Sequence, residues 1–223
     1  MHNVVERLIA IQSEIKELLT KNSSHNRDLN IIIVCKTFSM DKILPLIDAG
    51  HVHFGENKVQ EAELKWKEVK SKYSNIRLHM VGKLQTNKVK TALKIFDYIH
   101  SVDNYKLAEK IVKYEKELNK KIKTFVQVNV GEESQKNGVG SKNVNQFVSY
   151  CKNSLSLNII GLMCLPPIND NPEKYFLHLN QLRGQTDLCH LSMGMSNDYQ
   201  TAIKCGSTFL RIGSKILGER NIN

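Results

Sequence analysis

The residue best suited to covalent chemistry closes the run Ile31-Ile32-Ile33-Val34-Cys35-Lys36. Four β-branched residues and a cysteine lead straight into a lysine. Such a run reads as a strand buried on both faces, the kind found in parallel sheets. Side chains alternate along a strand, so Lys36 shares a face with Ile32 and Val34. An amine at the edge of a core loses part of its hydration, which lowers its pKa and frees the neutral nucleophile needed for a Schiff base. A second group stands near the C-terminus, in Arg211-Ile212-Gly213-Ser214. Arg211 shares a face with Phe209, and Gly213-Ser214 opens a short helix whose free N–H groups and hydroxyl suit an anion. Ser192, read as the end of the preceding strand, would approach the same anion. Each feature has a plainer reading when taken alone. Most strand-end lysines reach back into water, and a Gly-Ser pair ahead of a helix is commonly an ordinary cap.

The elements that must position these residues follow a regular alternation. A helix over 3–20 carries Val4, Leu8, Ile11, Ile15 and Leu18 on one stripe, with Asn3 and Glu6 as a capping-box-like start. After a polar connector the strands are expected at Ile31–Lys36, His51–Phe54, Arg77–Val81, Asp97–Ser101, Thr124–Val130, Leu157–Met163, Leu188–Ser192 and Ser207–Ile212. Helices are expected between them, one stopping at Gly50 and one capped by Asp103. The stretch Gly131 to Gly140 is the longest polar break, and Pro166-Pro167 with Asn169 to Pro172 is a loop. Strands alternating with helices mean a parallel sheet. Eight such units in 223 residues fit a single closed (β/α)8 TIM-type barrel with an extra N-terminal helix, one domain over 1–223. An open doubly wound sheet is the alternative.

Composition narrows the function. Hydrophobic content of 41% and charged content of 24% are ordinary for a globular chain. No apolar stretch is long enough to cross a bilayer, and no signal pattern opens the chain, so a cytoplasmic location is expected. The cysteines, 35, 151, 164, 189 and 205, are scattered without a C-x-x-C, which reads as free thiols in a reducing compartment. His51-x-His53 lacks the further ligands a metal site needs, so no metal is expected. The net charge of +10 invites a nucleic-acid partner. The lysines, among them Lys65, Lys70, Lys120 and Lys121, are interleaved with glutamates on helix faces without an aromatic platform. A solvated basic surface is the expected reading.

In a barrel of this type the site lies at the C-terminal ends of the strands, with phosphate often bound after strands seven and eight. The ends gather Lys36, Asn57, Gly82, Ser192, Arg211, Gly213 and Ser214. A lysine, an inward arginine and an anion seat fit pyridoxal 5′-phosphate (PLP) well. Lys36 would condense with the aldehyde. Arg211 would lie against the ring nitrogen, and as a group that keeps its proton it can only donate there. The ring would then be a weak electron sink.

The same residues carry a resemblance. Val34-Cys35-Lys36-Thr37, Phe54-Gly55-Glu56-Asn57-x-Val59-Gln60-Glu61, His79-x-Val81-Gly82-x-Leu84-Gln85-x-Asn87-Lys88 and His100-Ser101-Val102-Asp103 are followed by Gly161-Leu162-Met163, Leu191-Ser192-Met193-Gly194-Met195-Ser196 and Arg211-Ile212-Gly213-Ser214-x-Ile216-x-Gly218-x-Arg220. In this order the chain resembles, nearly end to end, the YggS/PROSC family of pyridoxal phosphate homeostasis proteins. The resemblance implies a barrel like the N-terminal domain of bacterial alanine racemase. It implies that Lys36 carries PLP as an aldimine, that Ser192, Gly213 and Ser214 hold the phosphate, that Arg211 faces the ring nitrogen, and that Asn57 lines the pocket. It also implies a role in buffering or delivering the vitamin B6 cofactor without a firm catalytic activity, with PLP-dependent apo-enzymes as candidate recipients. Lys58 stands where the family commonly has a tyrosine or another bulky residue, and Lys83 where it commonly has proline. These departures bear on rim charge and partner contact, not on the cofactor positions.

Two enzymatic alternatives stay open. A PLP-dependent amino-acid racemase needs a base on each face of the α-carbon. Lys36 could serve one face. In alanine racemase the other base is a tyrosine from a second domain of the partner subunit. That domain is expected to be absent here, where the chain stops at Asn223, and no tyrosine lies at a predicted strand end. A Schiff-base aldolase would need the lysine but no PLP.

Overall fold

A computed structural model describes residues 3–21, 28–133 and 135–219 of the chain. Strands buried on both faces alternate with amphipathic helices: α1 (Asn3–Lys21), β1 (Asn30–Val34), α2 (Met40–Asp48), β2 (His53–Glu56), α3 (Val59–Lys72), β3 (Arg77–Met80), α4 (Val89–Ile95), β4 (Tyr98–Val102), α5 (Tyr105–Glu117), β5 (Lys123–Asn129), β6 (Val139–Gly140), α6 (Val144–Ser149), β7 (Ile159–Cys164), α7 (Pro172–Gly184), β8 (His190–Met195), α8 (Tyr199–Lys204), β9 (Phe209–Ile212) and α9 (Ser214–Leu217). Eight strands pair in parallel around a ring, β1-β2-β3-β4-β5-β7-β8-β9, and β9 returns to β1. The fold is the expected TIM-type barrel with an N-terminal helix, and the ring leaves the open sheet no place. The two-residue β6 lies beside the end of β5, inside the stretch expected as a plain loop.

Strand alternation sorts the core into two layers. Ile31, Ile33 and Cys35 face outward into the large cluster shared with the helices. Ile32 faces inward with Tyr98, Phe125, Met163 and Phe209, so the interior is packed rather than open. α1 buries Val4, Leu8, Ile11 and Ile15 and packs against α2, α8 and α9, covering the seam where β9 meets β1.

Several boundaries differ from the sequence reading. β2 begins at His53 and runs to Glu56, two residues later than expected. β8 continues past Ser192 to Met195, which places Ser192 inside the strand rather than at its end. Asn104, not Asp103, caps α5, accepting the Leu107 N–H at 2.9 Å. α6 closes in a π turn over Tyr150–Ser154. Some of the lysines expected to be solvated are structural instead. Lys70 Nζ donates to Asp97 Oδ2 at 2.6 Å and to the Ile95 carbonyl, and Lys120 Nζ donates to the Leu93 and Phe96 carbonyls. Arg220 of the last motif and most of the connector after α1 lie outside the described residues.

Candidate functional site

Closure of the barrel brings the two ends of the chain's chemistry together. Ile33 pairs with Ile212 across β1 and β9. One step further, Gly213 passes so close to β1 that a Cβ there would stand 3.3 Å from the Val34 carbonyl oxygen. The ladder carries past β1 through the Cys35 N–H, which donates to the Gly55 carbonyl at 2.8 Å. Lys36 therefore stands half-buried at the C-terminal rim, one residue beyond the last ladder bond and two beyond Val34, which Gly213 approaches.

The backbone on both sides of Lys36 is clamped by α3. Lys65 Nζ donates to the Cys35 carbonyl at 3.0 Å, to Glu56 Oε1 at 2.9 Å and to Glu61 Oε1 at 3.1 Å. Glu61 Oε1 also accepts the Thr37 N–H at 2.7 Å. That second bond matters because Thr37 has φ +68°, a left-handed conformation that β-branched residues rarely adopt. Burial opposes the charges of this network. The carboxylates nonetheless hold the Lys65 ammonium above its ordinary range, and the Thr37 N–H and Lys65 hold the Glu61 carboxyl below its own. Glu56 is fully buried, and there burial prevails over the bonds from Trp66 and Lys65 and raises the carboxyl.

Arg211 projects into the barrel mouth as the parity with Phe209 indicates, and it is 4% exposed. Its Nη1 donates to Ser192 Oγ at 2.7 Å and its Nη2 to the Cys164 carbonyl at 2.8 Å. Burial pulls the guanidinium below its ordinary range, yet an arginine stays protonated. Because β8 is longer than expected, the Ser192 hydroxyl meets Arg211 and His100 rather than the Gly213-Ser214 turn. Besides Ser214 itself, the hydroxyl at that turn is Ser196, which accepts the Gly213 N–H at 3.3 Å and the Lys215 N–H at 3.4 Å. Asn57 follows β2 at the same rim, and its backbone lies against Gly82. A Cβ on Gly82 would come within 2.4 Å of the Asn57 carbonyl oxygen, so only glycine lets the two loops meet.

Beneath Arg211 lies a group that the sequence reading did not assign. His53, His79 and His100 stand on the neighbouring strands β2, β3 and β4 and point inward, nitrogen to nitrogen at 2.9 Å. The signal was present in the sequence as polar residues at inward positions of buried strands, which must find partners inside the barrel. His51 and His53 do not converge as a chelating pair. His51 Nε2 meets the His53 carbonyl, while His53 Nδ1 meets His79.

The geometry has known counterparts. The family model for the N-terminal domain of alanine racemase matches residues 8–221. A pyridoxal phosphate homeostasis protein of Aquifex aeolicus is 34% identical, over 98% of this chain and 99% of its own. The chain belongs to the pyridoxal phosphate homeostasis protein family. Among solved structures, PipY of Synechococcus elongatus without PLP superposes with a TM-score of 0.85 at 30% identity, over 97% of this chain and all of that one. PipY with PLP bound superposes with a TM-score of 0.78 at 31% identity, over 92% of this chain and all of that one.

The rim residues of this family member fit such a cofactor. At the Gly213-Ser214 turn the Gly213 and Lys215 N–H groups donate to Ser196 Oγ, and an anion held there would take those donors in place of that oxygen or accept the Ser196 hydroxyl hydrogen. Arg211 is fixed through two of its five N–H donors and keeps others for a ring acceptor. Lys36 would supply the amine, and Asn57 follows β2 at the same rim.

Proposed function

We propose that this chain, as one domain over residues 1–223, binds PLP at the C-terminal mouth of the barrel, holds it through Lys36, and serves vitamin B6 homeostasis by storing and handing over the cofactor. The Lys36 amine condenses with the aldehyde to an imine and releases water. The Gly213-Ser214 turn and Ser196 hold the phosphate, Arg211 donates to the ring nitrogen, and Asn57 lines the pocket. The recipients are PLP-dependent apo-enzymes. The observation that supports this reading is the β1–β9 closure, which brings Val34, two residues ahead of Lys36, against Gly213. Among the described residues no helix is long and apolar enough to cross a membrane. The buried free thiols Cys35, Cys151, Cys164 and Cys205 suit a reducing cytoplasm.

The test is an absorbance spectrum of the PLP-loaded protein, followed by borohydride reduction and peptide mass analysis. An imine band and a reduced adduct on Lys36, both lost in Lys36→Ala, are expected. An adduct elsewhere, or no band, would refute the reading. Exchange of α-deuterium from amino acids at enzymatic rates would favour the racemase instead.

A further inference from the structure

The histidines form part of a continuous file that ends on Arg211. Arg211 Nη1 donates to Ser192 Oγ at 2.7 Å, and Ser192 Oγ meets His100 Nδ1 at 2.8 Å. His100 Nε2 meets His79 Nδ1 at 2.9 Å, and His79 Nε2 meets His53 Nδ1 at 2.9 Å. Ser192, His100 and His79 are fully buried, whereas His53 is half-buried near the opposite, N-terminal mouth. The rings cannot turn freely. His100 stacks on Phe125 at 4.3 Å and His79 on Tyr98 at 4.2 Å, so each ring keeps its two nitrogens along the file.

A neutral imidazole carries one N–H, so such a file has a direction. In the forward setting the Ser192 hydroxyl donates to His100 Nδ1, His100 Nε2–H donates to His79, and His79 Nε2–H donates to His53. Every internal donor is then used. In the reverse setting His53 Nδ1–H donates to His79, His79 Nδ1–H donates to His100, and His100 Nδ1–H donates to Ser192. The serine oxygen then takes two donors and its own hydrogen leaves the file. A proton on His53 fills both of its nitrogens, which permits only the reverse setting.

We propose that Ser192, His100, His79 and His53 are positioning residues for Arg211, acting as a directional file that reverses when His53 takes up a proton at the N-terminal mouth. In the forward setting Ser192 donates onward, which polarises its oxygen and strengthens the bond it accepts from Arg211. In the reverse setting that oxygen is shared and Arg211 is held more loosely. The inference rests on the proposed function only for what Arg211 faces in the pocket; the file itself does not depend on it.

The surroundings make His53 the place where a proton enters. Burial is the main influence on all three imidazoles and keeps each below its ordinary range, His79 and His100 well below. Arg77 on β3 and Lys123 on β5 also oppose charge on His53, while Asp28 ahead of β1 and Asp97 ahead of β4 favour it. His51 and Lys70 face His79, and Arg211 faces His100, all opposing charge there.

Imidazole and guanidinium nitrogen NMR of the full chain without PLP, followed from pH 8 to pH 4.5, tests this directly. His79 and His100 are expected as Nε2–H tautomers at high pH. Both should switch to Nδ1–H together, at the midpoint of His53 protonation and below pH 6.5, with the Arg211 resonances moving at the same midpoint. In His53→Gln, which keeps an acceptor for His79 and cannot titrate, the forward tautomers should persist across the range. His53→Asn, which also keeps an acceptor, gives the same reading should the first variant not fold. Tautomers that stay fixed in the parent chain, that switch in either variant, or that switch while Arg211 does not respond would overturn the proposal. All readings are made without PLP, so failure to bind the cofactor would count against the proposed function and not against the file.

Discussion

Thr37 carries the strain of the site. A threonine at φ +68° costs on the order of 1–3 kcal/mol, and it persists only where its neighbours over-determine it. The bond from its N–H to Glu61 is one such constraint, and it fixes the peptide that follows Lys36. A hydrogen bond to a charged group is worth roughly 1.5–3 kcal/mol, so Glu61→Ala should weaken PLP binding by about 10-fold or more while the barrel stays folded. A PLP titration beside a thermal melt checks this, and unchanged affinity would dissociate Glu61 from the lysine. The folded-state pKa of Glu61 is depressed, so the clamp is complete above the ordinary carboxylate pKa of 4.5 and is lost as pH falls through the lowered value. At the anion seat, Ser196→Ala should weaken PLP binding and reduce competition by inorganic phosphate together. Loss of PLP affinity without any change in phosphate competition would assign Ser196 to another part of the ligand.

Elements fix these residues through a few close approaches. Gly82→Ala would force a Cβ into the Asn57 carbonyl, 2.4 Å away, and the β3 and β2 loops would have to separate. A backbone clash of this kind costs about 1–3 kcal/mol. Chemical denaturation should show that loss, and PLP binding should fall with it. Asn104→Ala should cost about 1 kcal/mol by removing the α5 cap and leave PLP binding unaltered, while Asp103→Ala should cost less. The sequence was informative wherever burial alone sets an element. The Ile31–Val34 run, the α1 stripe and the alternation of strands and helices could all be read from apolar patterning. Ends were less legible. Ser192 was expected at a strand end because the chain turns polar and glycine-rich there, yet β8 continues through Gly194 to Met195 and leaves Ser196 at the turn. His51 and Val52 look like strand residues, so the sequence points to a β2 that begins two residues early, while the ladder starts only where β3 can pair, at His53 with Arg77. The inward histidines are legible as polar residues on buried strands, but their pairing is not, since the members of the file meet only across strands.

At the scale of the whole molecule, the buried imidazoles make stability depend on pH. Burial lowers the pKa of His51 from 6.5 to about 4, and His79 and His100 lie well below their ordinary value. The unfolded chain binds protons near pH 6.5 and the folded chain does not, so stability is full above that pH and falls as pH drops below it. His51 alone contributes a loss on the order of 3 kcal/mol by pH 4. Melting temperature should therefore decline steadily from pH 6.5 to pH 4, and a flat profile would mean that the imidazoles ionise inside the fold. The closure of β1 on β9 has a consequence for folding kinetics, because it joins two strands that are far apart in the sequence. Pairing of that kind forms slowly, so the mouth where PLP is proposed to bind should be assembled late, and recovery of cofactor binding on refolding should lag behind recovery of the helical signal.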